Sequence, residues 1–433
     1  MKAFGPYTSK LEALVAESGI RGCNKAHELR VKAALDGEPG RMLRTSIPLE
    51  DLRTSGAFFT EKELAKRLIS SIRFELRDGA VVYDLACGTG NLLTACAYHL
   101  PMLSNVSETI ELWGQQLCGT DIHDEFIRAT KARLTLVAVD RGASFDDVVC
   151  KLDDVFPQIK LGNAFEQTQV ISNANCIALN PPFTMTIAPS NCAWASGKVS
   201  TAALMLESCV VNAKQGTKVV AILPEVLRTG SHYLRWRNEI ERLAIIESIE
   251  VVGLFDVWTD VDVFILRLTV GNSKHKSSKP WWKSNQNPVR KQSFNDLFEI
   301  RVGPVVPFRD PQLGNWHPFI HAQDLPPWKV VDTDTGYSHR RFRGTTFKPP
   351  FVVVRRTSRP GDRNRAVATV IKGTRSVAVE NHLIVLKPKN NSLPLCMEAL
   401  EKLHSTDTTV WFDERIRCRH LTVSSVGELP WWK

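Results

Sequence analysis

No CxxC pair and no histidine–cysteine cluster at zinc-binding spacing occurs in this 433-residue chain, whose 10 cysteines are scattered singly. That pattern excludes a zinc finger and a disulfide framework and reads as reduced, mostly buried thiols. No run approaches the ~18–20 uncharged apolar residues that a membrane-spanning helix needs. The opening MKAFGPYTSKLEALVAES lacks both the apolar core of a secretory signal and the arginines of a transit peptide. A cytoplasmic location is expected. Internal repeats are absent, as are GxGxxG and the GK[ST] ending of a phosphate-cradling loop. No metal site is expected.

What is present is length enough for two ordinary domains and a globular composition, 43% hydrophobic and 23% charged. The formal net charge of +9 divides unevenly. Residues 271–433 hold 27 Lys/Arg against 14 Asp/Glu, a net +13, whereas residues 1–270 hold 28 against 32, a net −4. A basic surplus confined to one part of the chain points to a polyanionic partner.

The first fifty residues read as polar-amphipathic helices, a small cap over 1–52. From 53 to 272, strand-like runs alternate with helical ones. The strands are AVVYDLA, LWGQQLCGTD, ANCIALN, KVVAILP, AIIESIEVV and VDVFILRLTV. Such alternation predicts an α/β fold, a doubly wound and mostly parallel sheet covered on both faces. The segment 273–295, rich in Ser, Lys, Asn and Pro, reads as a linker. From 296 to 433 the texture changes to short strands between Pro/Gly turns, with one late helix around LPLCMEALEKLHS.

Three stretches carry chemistry. In CIALNPPFTM an apolar run stops at Asn180, as a buried strand does on reaching the edge of its sheet. Pro181 holds Asn180 extended, and two prolines in succession remove two backbone donors. The corner therefore offers an amide side chain, carbonyl acceptors and an aromatic face, suited to a flat group bearing an amine. In VVYDLACGTGNLL a strand ends at Asp84 and turns through Ala86, Cys87, Gly88, Thr89 and Gly90 into a helix. Glycines there let a ligand approach the backbone, and the acid suits a nucleoside with an amino-acid tail. Cys87 reads as a small residue rather than a nucleophile, with no histidine placed to activate it. In LCGTDIHDEF a second strand ends at Asp121, where a carboxylate can bind ribose hydroxyls or cap the next helix.

DLACGTGN, GTDI, GNAF and LNPPF, in this order, resemble the S-adenosylmethionine-dependent amino-methyltransferases of DNA. GAFFT, at 56–60, is similar to the motif before the glycine loop in the gamma-class N6-adenine methyltransferases of restriction–modification systems, where a recognition domain follows the catalytic one. The resemblance implies a class I, Rossmann-like methyltransferase domain and S-adenosylmethionine as cofactor, with S-adenosylhomocysteine as product. Phe59, Thr60, Asp84, Ala86, Gly88 and Gly90 would hold its amino-acid end, Asp121 its ribose, and Ile122, Asn163 and Ala164 its adenine. Asn163 stands where the family often has an aspartate. Asn180, Pro181, Pro182 and Phe183 would be catalytic, with Phe183, Phe255 and Trp258 walling a flipped-out base.

The resemblance also implies double-stranded DNA as partner. The stretch His339 to Arg365 holds nine Lys/Arg and one acid, with interleaved phenylalanines. Arginine suits phosphates and guanine edges alike. Arg340, Arg341, Arg343, Arg355, Arg356, Arg359, Arg363 and Arg365 are the candidate DNA contacts in a strand-rich recognition domain. Methylation of cytosine N4, of RNA or of protein glutamine, and an inactive specificity subunit, are the competing readings. Any restriction nuclease or other defence-system component would be a separate chain.

Overall fold

The computed structural model describes residues 2–19, 25–146, 154–271, 279–282 and 292–432. The chain forms two compact units, Met1–Leu227 with Tyr233–Pro280, and Arg228–His232 with Trp281–Lys433. Most of the segment read as a linker lies outside the described residues.

The first unit is built on seven strands, β1 Val82–Asp84, β2 Leu117–Asp121, β3 Ile159–Leu161, β4 Cys176–Leu179, β5 Lys218–Pro224, β6 Ala244–Leu254 and β7 Asp262–Val270. Their order in the sheet is β3-β2-β1-β4-β5-β7-β6. Pairing is parallel throughout except for β7, which runs antiparallel to both of its neighbours. The expected doubly wound α/β fold is therefore present. β1 and β4 are wholly buried, as apolar strands covered by helices on both faces must be. The second strand starts later than its sequence pattern suggests, because Leu112, Trp113 and Gly114 still belong to the preceding helix Val106–Gly114.

Strand order reverses between β1 and β4, and in such sheets a ligand crevice opens beyond the carboxyl ends of the strands at that point. Asp84 and Asp121 end β1 and β2, and Asn180 follows β4 directly. A short hairpin, Met185–Ile187 paired with Lys198–Ser200, continues from the double proline.

The N-terminal helices, from Gly5–Ser18 to Leu49–Ser55, share one apolar core with this sheet: Phe4, Tyr7, Leu11 and Leu52 are buried in the same cluster as Leu92 and Phe126. Arg133, fully buried on helix Asp124–Asp140, ties them to the glycine turn. Its Nε donates to the Ala34 carbonyl at 2.9 Å, and its Nη1 to the Thr89 carbonyl and Asn91 Oδ1.

In the second unit the strands are β8 Phe298–Val302, β9 Asn315–Ile320, β10 Val330–Asp332, β11 His339–Phe342, β12 Phe351–Arg355, β13 Ala368–Lys372, β14 Ala378–Val379 and β15 Leu383–Pro388. They form a five-stranded sheet, β8-β15-β12-β13-β10, and a three-stranded one, β11-β9-β14. Alternation along the central FVVV sends Val352 and Val354 into one core, with the helices Leu393–His404 and Thr406–Arg415, and Phe351 and Val353 into another. This is the strand-rich region expected from the sequence. Among the described residues no helix is long and apolar enough to cross a membrane.

Candidate active site

Beyond the ends of β1, β2 and β4 lies a cavity of about 260 Å³. Of the residues singled out from the sequence, Phe59, Thr60, Asp84, Ala86, Gly88, Asp121, Ile122, Asn163, Ala164, Asn180 and Pro182 line it. Three stretches far apart in the chain are thereby brought to one place.

Two glycines explain how they fit. Gly56 has φ of +67°, and a Cβ on it would stand 2.6 Å from Cβ of Pro182, so GAFFT packs directly against the double proline. Gly88 has φ of +53°, and a Cβ there would come 3.0 Å from the Phe59 ring. Both positions need glycine for conformation and for close approach.

Asn180 Nδ2 donates to Thr60 Oγ1 at 2.8 Å, which fixes the amide plane. Its Oδ1 is buried and has no hydrogen-bond partner. An acceptor left in that condition costs about 1–3 kcal/mol, and Asn180 is the residue with such an atom that lines the cavity. The Thr60 carbonyl in turn accepts from Asn91 Nδ2, joining the corner to the glycine turn.

The acids are held for the same space. Asp121 Oδ2 accepts the Gly88 N–H at 3.0 Å and its Oδ1 the His123 N–H at 2.9 Å. Burial pushes its carboxyl up to about 6 despite those bonds. Asp121 is not the cap of the following helix, since that position is His123, two residues on. Asp84 is almost wholly enclosed, and burial, reinforced by the nearby Asp121 charge, pushes it up to about 8. The Cys87 thiol is raised well above its ordinary value by burial, in line with a packing role.

Several expected contacts fall elsewhere. Gly90 does not line the cavity: at φ of +77° it opens helix Asn91–Ala97, and a Cβ on it would stand 2.6 Å from Cγ2 of Thr130. Pro181 is buried and does not line the cavity, whereas Pro182 does. Phe183 is half-buried and meets Phe255 edge-on, ring centroids 5.4 Å apart. Phe255, 6% exposed, is a core residue that braces Phe183 rather than an open wall. Trp258 is 46% exposed; its carbonyl accepts from Arg53 at 2.8 Å, and the Arg44 guanidinium stands 5.8 Å from its ring centroid. The Asn163 side chain caps a short helical turn by accepting from Phe165 N–H, and donates to Glu166.

Sequence reasoning passed over Phe126, Phe165, Thr201 and Met205, all in the cavity wall. Phe165, 43% exposed, sits inside GNAF and was the one within reach.

The basic stretch is less uniform than its sequence. Arg365 is fully buried, with Nε on Ser358 Oγ at 2.8 Å, Nη2 on the Ile416 carbonyl at 3.0 Å and Nη1 on the Asp413 carboxylate. Arg340 is 8% exposed and donates to the Pro307 and Asp310 carbonyls. These two brace the interior of the unit and, against expectation, are not surface contacts. Arg355 and Arg356 are half-buried, Arg355 bonding the Leu325 carbonyl at 2.9 Å. Arg341, Arg343, Arg359 and Arg363 are exposed.

The strand order, the reversed last strand and the acids ending β1 and β2 define the fold as that of the class I methyltransferases. Residues 50–249 match the family model of the N-6 DNA methylases. The chain is similar in structure to the type IIL restriction-modification enzyme MmeI, solved in complex with DNA, with a TM-score of 0.57 and 13% identity over 90% of this chain and 70% of that one. It also matches the type IIG restriction endonuclease BpuSI, with a TM-score of 0.45 and 14% identity over 86% of this chain. It spans 58% of the length of BpuSI. No curated protein matches it in sequence.

Proposed function

We propose that the chain is a site-specific DNA methyltransferase that places a methyl group on N6 of a flipped-out adenine, in a restriction–modification or related defence system. The observation that carries this is the buried, unpartnered Asn180 Oδ1 at the cavity wall. Adenine's exocyclic amine is a poor nucleophile because its lone pair is delocalised into the ring. Asn180 Oδ1 accepts one of its N–H groups and the Pro181 carbonyl the other, which localises the lone pair. Fixed acceptors of this kind stabilise the positive charge that develops on nitrogen. Thr60, by holding Nδ2, keeps Oδ1 turned to the acceptor role. The extra proton leaves to water, since an N-methylated adeninium is acidic enough to need no strong base. Reaching this corner requires the base to leave the duplex, and Phe183, braced by Phe255, stacks on it.

The cavity fits S-adenosylmethionine. Asp84 is a buried acid suited to a cationic amino group, Asp121 has acceptor capacity for two hydroxyls, and Ile122, Ala164 and Phe165 offer apolar surface for a flat ring. When bound, that cofactor supplies a methyl group made electrophilic by its sulfonium. The second unit is read as the DNA-recognition domain, with Arg341, Arg343, Arg359 and Arg363 as its exposed cations.

The test is transfer of an isotope-labelled methyl group into duplex DNA, followed by nucleoside mass spectrometry. N6-methyladenine is the expected product. N4-methylcytosine would move the target to cytosine, and no labelled base on DNA from many sources would refute the reading.

A further inference from the structure

One aromatic side chain of the second unit stands entirely in solvent. Phe308 is 101% exposed, yet the turn that carries it is fastened at every side. Pro307 occupies the second position of the turn Val306–Arg309, where its fixed φ is already the one required. The Val306 carbonyl accepts both Arg309 N–H, at 3.1 Å, and Asp310 N–H, at 2.9 Å. The Val306 N–H is taken by Asp310 Oδ2 at 2.8 Å. From beneath, the buried Arg340 guanidinium binds the Pro307 and Asp310 carbonyls while stacking over Phe319, 5.6 Å from the ring centroid. A buried arginine is thus spent on the shape of a turn whose tip is an exposed phenyl ring.

A backbone already fixed leaves only the two side-chain torsions of the phenyl ring to be ordered on entering a stacked environment, which lowers the cost of a wedge. Its surroundings select the occupant. Arg309 is 77% exposed at its side chain and offsets Asp310 at 3.6 Å, while exposed Arg341 pairs across the strands with Trp316, itself 64% exposed. Cations beside exposed rings, in the part of the chain with a net +13, complement a phosphate backbone with base pairs between its strands.

We propose that the Phe308 turn is a wedge that inserts between base pairs of duplex DNA, with Arg309 and Arg341 on the flanking phosphates. This rests on the reading of the chain as a DNA methyltransferase. The probe is a duplex of about 30 base pairs carrying the methylated site found by modified-base sequencing, with a fluorophore at each end to report bending. The full chain should bend it, as side-chain wedges kink duplexes by about 20–90°. Phe308→Ala should abolish most of the bend and weaken binding about ten- to hundredfold, with unchanged melting temperature and S-adenosylmethionine affinity. Phe308→Leu, still an apolar wedge, should keep much of both. If Phe308→Ala binds and bends the duplex like the parent, the wedge is refuted while methylation stands. The wedge is refuted equally if the variant loses only a protein partner, which would make the turn a protein-docking tip. A parent chain that neither binds nor methylates any duplex overturns the functional reading itself, before any variant is compared.

Discussion

At the cavity of the first unit stand the buried Asp84 and the half-buried Asp121, and loss of solvent around them pushes both carboxyls upward. Inside the second unit the buried charge of Arg365 meets a carboxylate, a hydroxyl and two carbonyls. Both arrangements withdraw ionisable groups from water, but among the described residues only the arginine meets an opposite charge; the acids accept backbone N–H groups alone. An ion enclosed with a full set of partners maintains a fold. Asn180 Oδ1 is enclosed and unfilled, as Asn381 Oδ1 of the second unit is, but of the two residues only Asn180 lines the cavity, where a ligand can reach it.

The contrast breaks most sharply at Arg365. Arg365→Ala leaves Asp413 unpaired and several acceptors unfilled, so the second unit should lose about 3–5 kcal/mol of stability. Chemical denaturation with cofactor affinity measured in parallel checks this. A loss of DNA affinity at unchanged stability would return Arg365 to the surface role. Asp121→Ala should do the reverse, weakening S-adenosylmethionine by about 1–3 kcal/mol; unchanged affinity by calorimetry would make Asp121 a brace for Gly88 and His123 only.

How much of this was legible beforehand follows the same division. The catalytic corner could be read because its chemistry demands particular residues at a strand end, so LNPPF, DLACGTG and GTD stand out without any fold. β3 was missed because Ile159–Leu161 is a three-residue edge strand with only its first residue buried. Phe183 against Phe255 and Thr60 against Asn180 were invisible as pairs, since each joins positions distant in the chain. The arginines could not be sorted because charge says nothing of burial: Arg363 and Arg365 are two residues apart, and one is exposed while the other is wholly enclosed.

Acidity sharpens the comparison further. The Asp84 carboxyl is raised in the folded state, so its contribution to stability is complete below its unfolded value of about 4 and is lost as pH rises through about 8. Without cofactor, Asp84→Asn should remove part of the fall in melting temperature across that window. An identical pH profile in the variant would show that Asp84 finds a partner cation in solution. The smallest effect is expected at the exposed cations. Arg359→Ala and Arg363→Ala should each change stability by less than about 0.5 kcal/mol, while flattening the dependence of log affinity for DNA on log salt by up to about 0.9 for each phosphate no longer neutralised. Unchanged slopes would assign phosphate binding to other residues of the unit.

The most direct measurement compares Asn180→Ala with the parent chain in single-turnover methyl transfer to DNA, with S-adenosylmethionine affinity determined on the same preparations. If Oδ1 is the acceptor for the target amine, transfer falls about 100- to 1000-fold, the cost of removing one preorganised hydrogen-bonding group, and cofactor affinity stays close to that of the parent. Transfer at near-parental rate by Asn180→Ala would contradict the account.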